Sequence, residues 1–342
     1  MCWNDILPVI VLSLASCTAI EHPCHSGDDA VGVIRLDVVL CHGRTRSADV
    51  FDYEAMINTA QVFVFDHEGR LAAYEELRES TSAEVEVMVG TYDVWALVNA
   101  PPCHDIHTMD ALESMDIMLE CNTIAGGLVM SGRTSVDVSM GSVVTAEVTV
   151  ERLVSRVYVR NITNECPQEY GDMVVKGIFL ANVVGNQNVC GDAEESVWYN
   201  RCGCAEGVQG HLIDGAEHLA DVPDMTWRKT DRLVPNGQTE NIGACLYGYR
   251  NLETEESDAF PFTPRLSRLY FIISQKVLET GEYQDNVCYV NLVGQMVSNQ
   301  SCCIDLLVTG TADGGTDRRI AINISSCQVV GWATAGTEAF NI

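Results

Sequence analysis

Apolar and polar residues alternate with a period of two along most of this chain, the spacing that turns one side of an extended segment into a core and the other toward water. Val85, Val87 and Val89 alternate with Glu84, Glu86 and Met88, and Gly90-Thr91 leads on into Tyr92-Asp93-Val94-Trp95-Ala96-Leu97-Val98, so the two runs predict a hairpin. From Gln61 to Asp66 the residues Val62, Phe63, Val64 and Phe65 are apolar on both faces, which suits a strand in the middle of a packed sandwich. Val136 and Val138 alternate with Ser135, Asp137 and Ser139; Gly141-Ser142 marks a turn, and Ala146, Val148 and Val150 resume the alternation. Upstream, Ala30 to Cys41 reads as another strand, with Val31, Val33, Val38 and Leu40 among its apolar positions.

One segment has a different period. From Thr108 to Leu119, Met109, Leu112, Met115 and Leu119 recur at steps of three and four, predicting an amphipathic helix with Thr108 as its N-cap. Beyond it, Val154, Val157 and Val159 open a second series of strands, followed by Ile178 to Val184. The stretch from Gly185 to Gly243 is polar, rich in Gly, and gives few strand signals. Strands return at Leu269 to Ile273, Val287 to Val293 and Ile304 to Val308; Ile320, Ile322 and Ile324 then alternate with Arg319, Ala321 and Asn323, and Val329-Val330 leads to Trp332. The expected fold is all-β, two tandem β-sandwich domains with one short helix. The junction falls near Val150 to Leu153, without Pro, Gly or Ser spacing, which predicts domains 30–150 and 151–342 held rigidly end to end behind a leader at 1–29.

With 342 residues, 47% of them hydrophobic and 20% charged, the chain can build a real core. A net charge of −28, with no basic grouping denser than Arg44 and Arg46 or Arg318 and Arg319, argues against nucleic-acid binding. No catalytic constellation stands out. A G-x-S-x-G elbow is missing, the adjacent pairs Glu194-Glu195 and Glu255-Glu256 say nothing about carboxylate separation in space, and Asp313 to Asp317 lacks the ligand pattern of a calcium loop. Cys103, His104 and His107 lie in a loop after Pro101-Pro102 with no fourth ligand nearby. The expectation is a protein that is not an enzyme and holds no cofactor or metal.

The N-terminus carries the most specific signal. Leu14-Ala15-Ser16-Cys17 closes the apolar run Ile6 to Leu14 and forms a lipobox, the site at which a signal peptidase leaves an acylated cysteine as the new N-terminus. The run is too short to span a bilayer, which takes about 20 apolar residues. Cys17 is the expected lipidation site, anchoring the chain to a membrane through its acyl chains. Residues 1–5 lack the Lys or Arg common in such leaders. Of the 15 cysteines, removal of Cys2 with the leader and acylation of Cys17 leave 13, an odd number whose pairing the spacing does not assign.

Several of these features resemble the fimbrillin superfamily of Bacteroidales, the subunits of lipoprotein-derived (type V) pili. They are the lipobox at Cys17; Val62-Phe63-Val64-Phe65-Asp66 with Gly69, followed by the run Gly90 to Asn99 in the form G-x-Y-x-v-x-a-x-x-N; Glu151-Arg152-Leu153-Val154-Ser155-Arg156-Val157; and the closing Val329-Val330-Gly331-Trp332. No one of them is specific; their order and spacing are.

The resemblance implies two transthyretin-like sandwiches and a subunit at the outer-membrane surface, in a fimbrium, with other pilin subunits as partners. It also implies that a trypsin-like protease cuts after an arginine, removes the first strand and exposes a groove, which a strand of another subunit fills. Arg46 is the first candidate for that cut and Arg44 the second, just after the Ala30 to Cys41 strand; the same arginines would otherwise only solvate a loop. The donor would be Ala333 to Ile342, and the role that of a shaft or tip subunit, since a cut at Arg44 or Arg46 would open the groove whereas an anchor would keep its lipid and first strand; the sequence does not separate these roles firmly. The alternative is a surface lipoprotein that binds glycans, with Trp198-Tyr199 and Trp227 as stacking platforms if they form an exposed row.

Overall fold

The computed structural model describes residues 30–41, 51–78, 80–191, 197–200, 224–252, 266–294, 296–309 and 321–331. Its first part contains strands β1 (Val31–Leu40), β2 (Thr59–Phe65), β3 (Leu71–Arg78), β4 (Ser82–Met88) and β5 (Gly90–Val98), helix α1 (Met109–Glu113), and strands β6 (Asp116–Met118), β7 (Met130–Val138) and β8 (Val143–Arg152). Seven of these strands form one sheet in the order β3-β2-β5-β7-β8-β1-β4. β7 and β8 pair only at Met130 with Arg152 and Ser131 with Glu151, and there the sheet folds over into two facing layers. Gly132 permits the fold: a Cβ at this position would lie 2.1 Å from the Thr149 carbonyl oxygen. Between the layers lie Ile34, Leu36, Val62, Val64, Val94, Ala96 and Val148, all fully buried.

The hairpin expected between Val85 and Val98 does not form. β4 pairs with β1, whereas β5 pairs with β2 and β7, so the chain crosses at Val89 from one layer to the other. A turn signal between two alternating runs serves either connection, and the partner available to β4 comes from far upstream. The helix is also shorter than its periodicity suggested. Thr108 caps it by accepting a hydrogen bond from the Ala111 amide, but it ends at Glu113. Asp116 to Met118 are extended instead, paired with Asn186 to Asn188. Leu112 and Leu119 are buried as a helix would bury them, but this pairing outweighs local preference after one turn.

The second part contains β9 (Ser155–Asn164), β10 (Met173–Ala181), β11 (Val183–Val184), β12 (Asn186–Asn188), β13 (Trp198–Tyr199), β14 (Trp227–Val234), β15 (Thr239–Gly248), β16 (Arg268–Lys276), β17 (Tyr283–Asn291), β18 (Gln300–Thr309) and β19 (Ala321–Gly331). Two four-stranded sheets, β14-β10-β16-β17 and β15-β9-β18-β19, make the second sandwich. β14 and β15 occupy the stretch that gave few strand signals. The reason is their place: both are edge strands, and β14 carries exposed Lys229, Asp231 and Arg232 where a central strand would alternate. Among the described residues no helix is long and apolar enough to cross a membrane.

The two parts meet across a buried charge. Glu54, fully buried, accepts hydrogen bonds from Arg156 Nη1 at 3.0 and 3.2 Å and from the Tyr247 hydroxyl at 2.5 Å, and Tyr53 meets Tyr247 hydroxyl to hydroxyl at 2.7 Å. Arg152 donates to the Glu54 carbonyl at 2.7 Å, and Arg156 to Ser301 Oγ at 2.7 Å. Burial pushes the Arg152 guanidinium down to about 10 against the pull of Glu54, while at Arg156 burial, the largest single effect, is outweighed by Glu54 and the neighbouring Cys245, Tyr247 and Cys303 together, and the pKa is raised. The β6–β12 pairing and a hydrogen bond from Asn122 Nδ2 to the Tyr249 hydroxyl add to the contact.

Replacing Glu54 by Ala leaves two arginines buried around a missing anion, and the expected loss is about 3–5 kcal/mol in urea unfolding, against about 1 kcal/mol for Tyr53→Phe. Asp305 supplies a pH test. Arg160, at 2.9 and 2.5 Å, together with Ser326 and Asn161, holds its carboxyl down to about 2. A carboxylate depressed on folding stabilises above its unfolded pKa and loses that effect as pH falls through the folded one. Wild type should therefore exceed Asp305→Asn by roughly 1 kcal/mol at neutral pH, the partly exposed pair being screened, and the difference should vanish by about pH 2.

Candidate assembly site

β1 lies inside its sheet, hydrogen-bonded on both sides. Val33 to Leu40 run parallel to Val143 to Val150 of β8, and Val31 to Asp37 run antiparallel to Met88 to Ser82 of β4. Loop contacts extend both ends: the Val33 amide donates to the Ser142 carbonyl, the Gly141 amide to Val31, the Val89 amide to Ala30 and the Cys41 amide to Val150. Gly32 sits so close to the β7–β8 turn that a Cβ would meet Val138 Cγ1 at 2.4 Å and the Ser139 oxygen at 2.8 Å.

The even-numbered residues of β1 point inward. Ile34 and Leu36 are fully buried and Val38 and Leu40 nearly so. On the outer face, Val31 is 45% exposed, and Arg35 pairs with Glu84 at 2.8 Å in solvent. Val31 and Val33, two of the apolar residues expected to mark this strand, are therefore not its core side. The signal that finds the buried side is the unbroken alternation Ile34, Leu36, Val38, Leu40, with Arg35 and Asp37 between.

Each inward side chain contributes about 1.5–3 kcal/mol on burial, so the four together amount to roughly 6–12 kcal/mol as an upper figure. That is comparable to the net stability of a whole domain, about 5–15 kcal/mol. Taking β1 away would expose the facing Val85, Val87, Ala146 and Val148, leave β8 and β4 as two unpaired edges, and open a slot between them one strand wide, about 10 Å.

Cys17, Arg44 and Arg46 lie outside the described residues, as do the expected donor Ala333 to Ile342 and the Asp313 to Asp317 turn. Cys41, the last described residue before Arg44 and Arg46, is half-buried against β8, and burial with Glu151 nearby pushes its thiol up. Cys103, His104 and His107 do not converge: the Cys103 amide donates to Gln61, the His104 ring packs edge-on against Tyr74, and the His107 carbonyl accepts from Leu71. Asp66 closes the turn after β2, accepting from the amides of Arg70 and Glu68 and from the Arg70 side chain, and these hydrogen bonds lower its carboxyl pKa. Trp227 stands in a cross-strand row with Phe179, Tyr270 and Tyr289 whose middle two rings are buried, while Trp198 and Tyr199 pack against the main core. The aromatic residues expected as stacking platforms therefore do not form one exposed row.

No protein-family model matches the sequence, and no curated protein matches it. Solved structures do. A fimbrilin from Porphyromonas gingivalis W83 is 14% identical, with a TM-score of 0.62 over 90% of this chain and 99% of that one. A candidate cell adhesion protein from Bacteroides eggerthii is 12% identical, with a TM-score of 0.59 over 90% and 97%. Another from Parabacteroides distasonis is 15% identical, with a TM-score of 0.54 over 89% and 99%. At such identities the likeness is one of fold, and it runs along nearly the whole of this chain.

The face assignment within β1 is open to test. Leu36→Ala should cost about 2–5 kcal/mol in urea unfolding, and Val33→Ala, on the outer face, less than about 1 kcal/mol.

Proposed function

We infer that the chain is a structural subunit of a cell-surface fimbrium, with no enzymatic role, and that β1 is the strand removed when it assembles. The observation that carries this reading is the lodging of β1 between β8 and β4, upstream of both candidate cut sites, with four inward apolar side chains. The fold likeness to a fimbrilin supports it. In this scheme the precursor is exported and acylated at Cys17 at the outer membrane. A trypsin-like protease cuts after Arg46, or after Arg44, and β1 leaves with the lipid. The slot then presents backbone donors and acceptors on both rims and apolar pockets on its floor, which a strand from another pilin subunit satisfies together. Residues 30–150 form the accepting domain and residues 151–342 the second domain of the subunit.

Treating the purified full-length precursor with an arginine-specific protease tests the scheme. Ser47 as the new N-terminus, loss of β1 from the folded product and ladders resistant to unheated SDS are the expected results. A product that keeps β1 in place and stays monomeric would sink it, and so would a protease-treated Arg44→Ala/Arg46→Ala double variant that polymerises as well as wild type.

A further inference from the structure

We propose that Cys302 and Cys327 are a disulfide site that staples the edge strand β19 to β18. The observation is geometric and independent of the assembly scheme. In the β18–β19 ladder Cys302 stands opposite Val329, and Cys327 opposite Ile304. The two cysteines are thus diagonal neighbours on one face of the sheet, and their sulfurs are 3.4 Å apart. The face is the inward one: Cys302 is fully buried in line with Ile304 and Leu306, and Cys327 is half-buried against the same core. Diagonal pairs on neighbouring strands are close enough for side chains to meet, and here the sulfurs stand about 1.4 Å beyond the roughly 2 Å of an S–S bond. Cys303, next in sequence, points to the opposite face, where Ser301 Oγ lies 3.6 Å from its sulfur.

The pair is also chemically asymmetric. The hydrogen bond between the two sulfurs, together with burial, pushes the Cys302 thiol up, and the same bond lowers the Cys327 pKa against burial. Cys327, the more accessible of the two, is the attacking thiolate. Its sulfur attacks one sulfur of a disulfide oxidant, forms a mixed disulfide and expels the oxidant's other half as a thiolate. Cys302 then loses its proton and attacks Cys327 Sγ, releasing the second half. The two protein thiols are oxidised by two electrons, and the oxidant disulfide is reduced to two thiols. Cys245 and Cys288 behave differently: burial pushes each up to about 12, which leaves them as inert core thiols.

The staple acts where the sheet is weakest. Among the described residues β19 is an edge strand that pairs with β18 and with no other strand, and its described side chains from Ile324 to Val330 are half-buried or exposed. An edge of this kind can peel away or pair with foreign strands. A bond from Cys327 to Cys302 fixes its register.

The test uses the folded full-length protein equilibrated with glutathione disulfide, quenched in acid, alkylated with N-ethylmaleimide and digested with trypsin. Arg318 and Arg319 lie between the cysteines, so cleavage separates them. The expected product is a peptide bearing Cys327 joined to the one bearing Cys288, Cys302 and Cys303, lighter by two hydrogens than the two peptides with Cys302 and Cys327 as free thiols. Cys303→Ser should keep the link and Cys302→Ser lose it. Dithiothreitol should lower the Tm of wild type and of Cys303→Ser by several degrees and leave Cys302→Ser/Cys327→Ser unmoved. Recovery of both peptides as alkylated thiols after oxidation would overturn the assignment, as would a Cys327 link that survives in Cys302→Ser.

Discussion

The first sandwich depends on one strand having neighbours on both sides. β4 joins the sheet only through β1, and β8, whose ladder to β7 is two residue pairs long, finds its main partner there too, so the layer they form exists because β1 bridges them. An edge strand can be lost with modest effect on its neighbour. A central strand takes with it two ladders of hydrogen bonds and a row of core side chains, here Ile34, Leu36, Val38 and Leu40. Such a deletion leaves a defect with one good remedy, another extended segment of matching alternation. The fold is thus stable when complete and receptive when incomplete, and the proposed assembly uses both states.

The junction supplies a second constraint. Glu54 sits between Arg156 and Tyr247 of the second part and is held by the turn beginning at Phe51, whose amide donates to its carboxylate. A carboxylate buried this completely is tolerated because it is fully partnered. The consequence is geometric: Phe51 to Glu54, the first described residues after the candidate cut sites, are tied to the far side of the junction by groups outside β1. With β6–β12 this contact makes the two sandwiches one packed unit. In the proposed maturation Phe51 to Glu54 would therefore stay in place while β1 departs.

Much of the fold is legible in the sequence because a period of two is a strong signal wherever one face of a strand is wet. β8 and β9 and the turn after β7 fall where alternation puts them, and β2 where its unbroken apolar run does. The signal fails in specific ways. β14 is charged along its length because it is an edge, so its pattern looks like a loop. The three-and-four spacing from Met109 to Leu119 fits a helix, but the segment becomes a strand after Glu113 because β12 offers backbone partners that sequence spacing does not reveal. The crossover at Val89 carries the same turn residues as a hairpin would. At the assembly site the existence of β1 was readable, whereas its inward side required the whole run from Ile34 to Leu40 and not the valines alone. Arg152 and Arg156 stood in a recognisable run, but their shared partner Glu54 lies about a hundred residues away in the chain, a pairing that no local pattern discloses.

The two rims of the slot are unlike, β8 running with β1 and β4 against it. Parallel and antiparallel ladders place their hydrogen bonds differently, so a guest entering backwards would meet the wrong pattern on both sides. A shift of one position to recover the bonds would turn its apolar side chains out to water. Subunits joined through this opening must all face the same way, and a filament built from them would be a vector: one end an unfilled socket, the other an unused plug, each needing its own kind of cap.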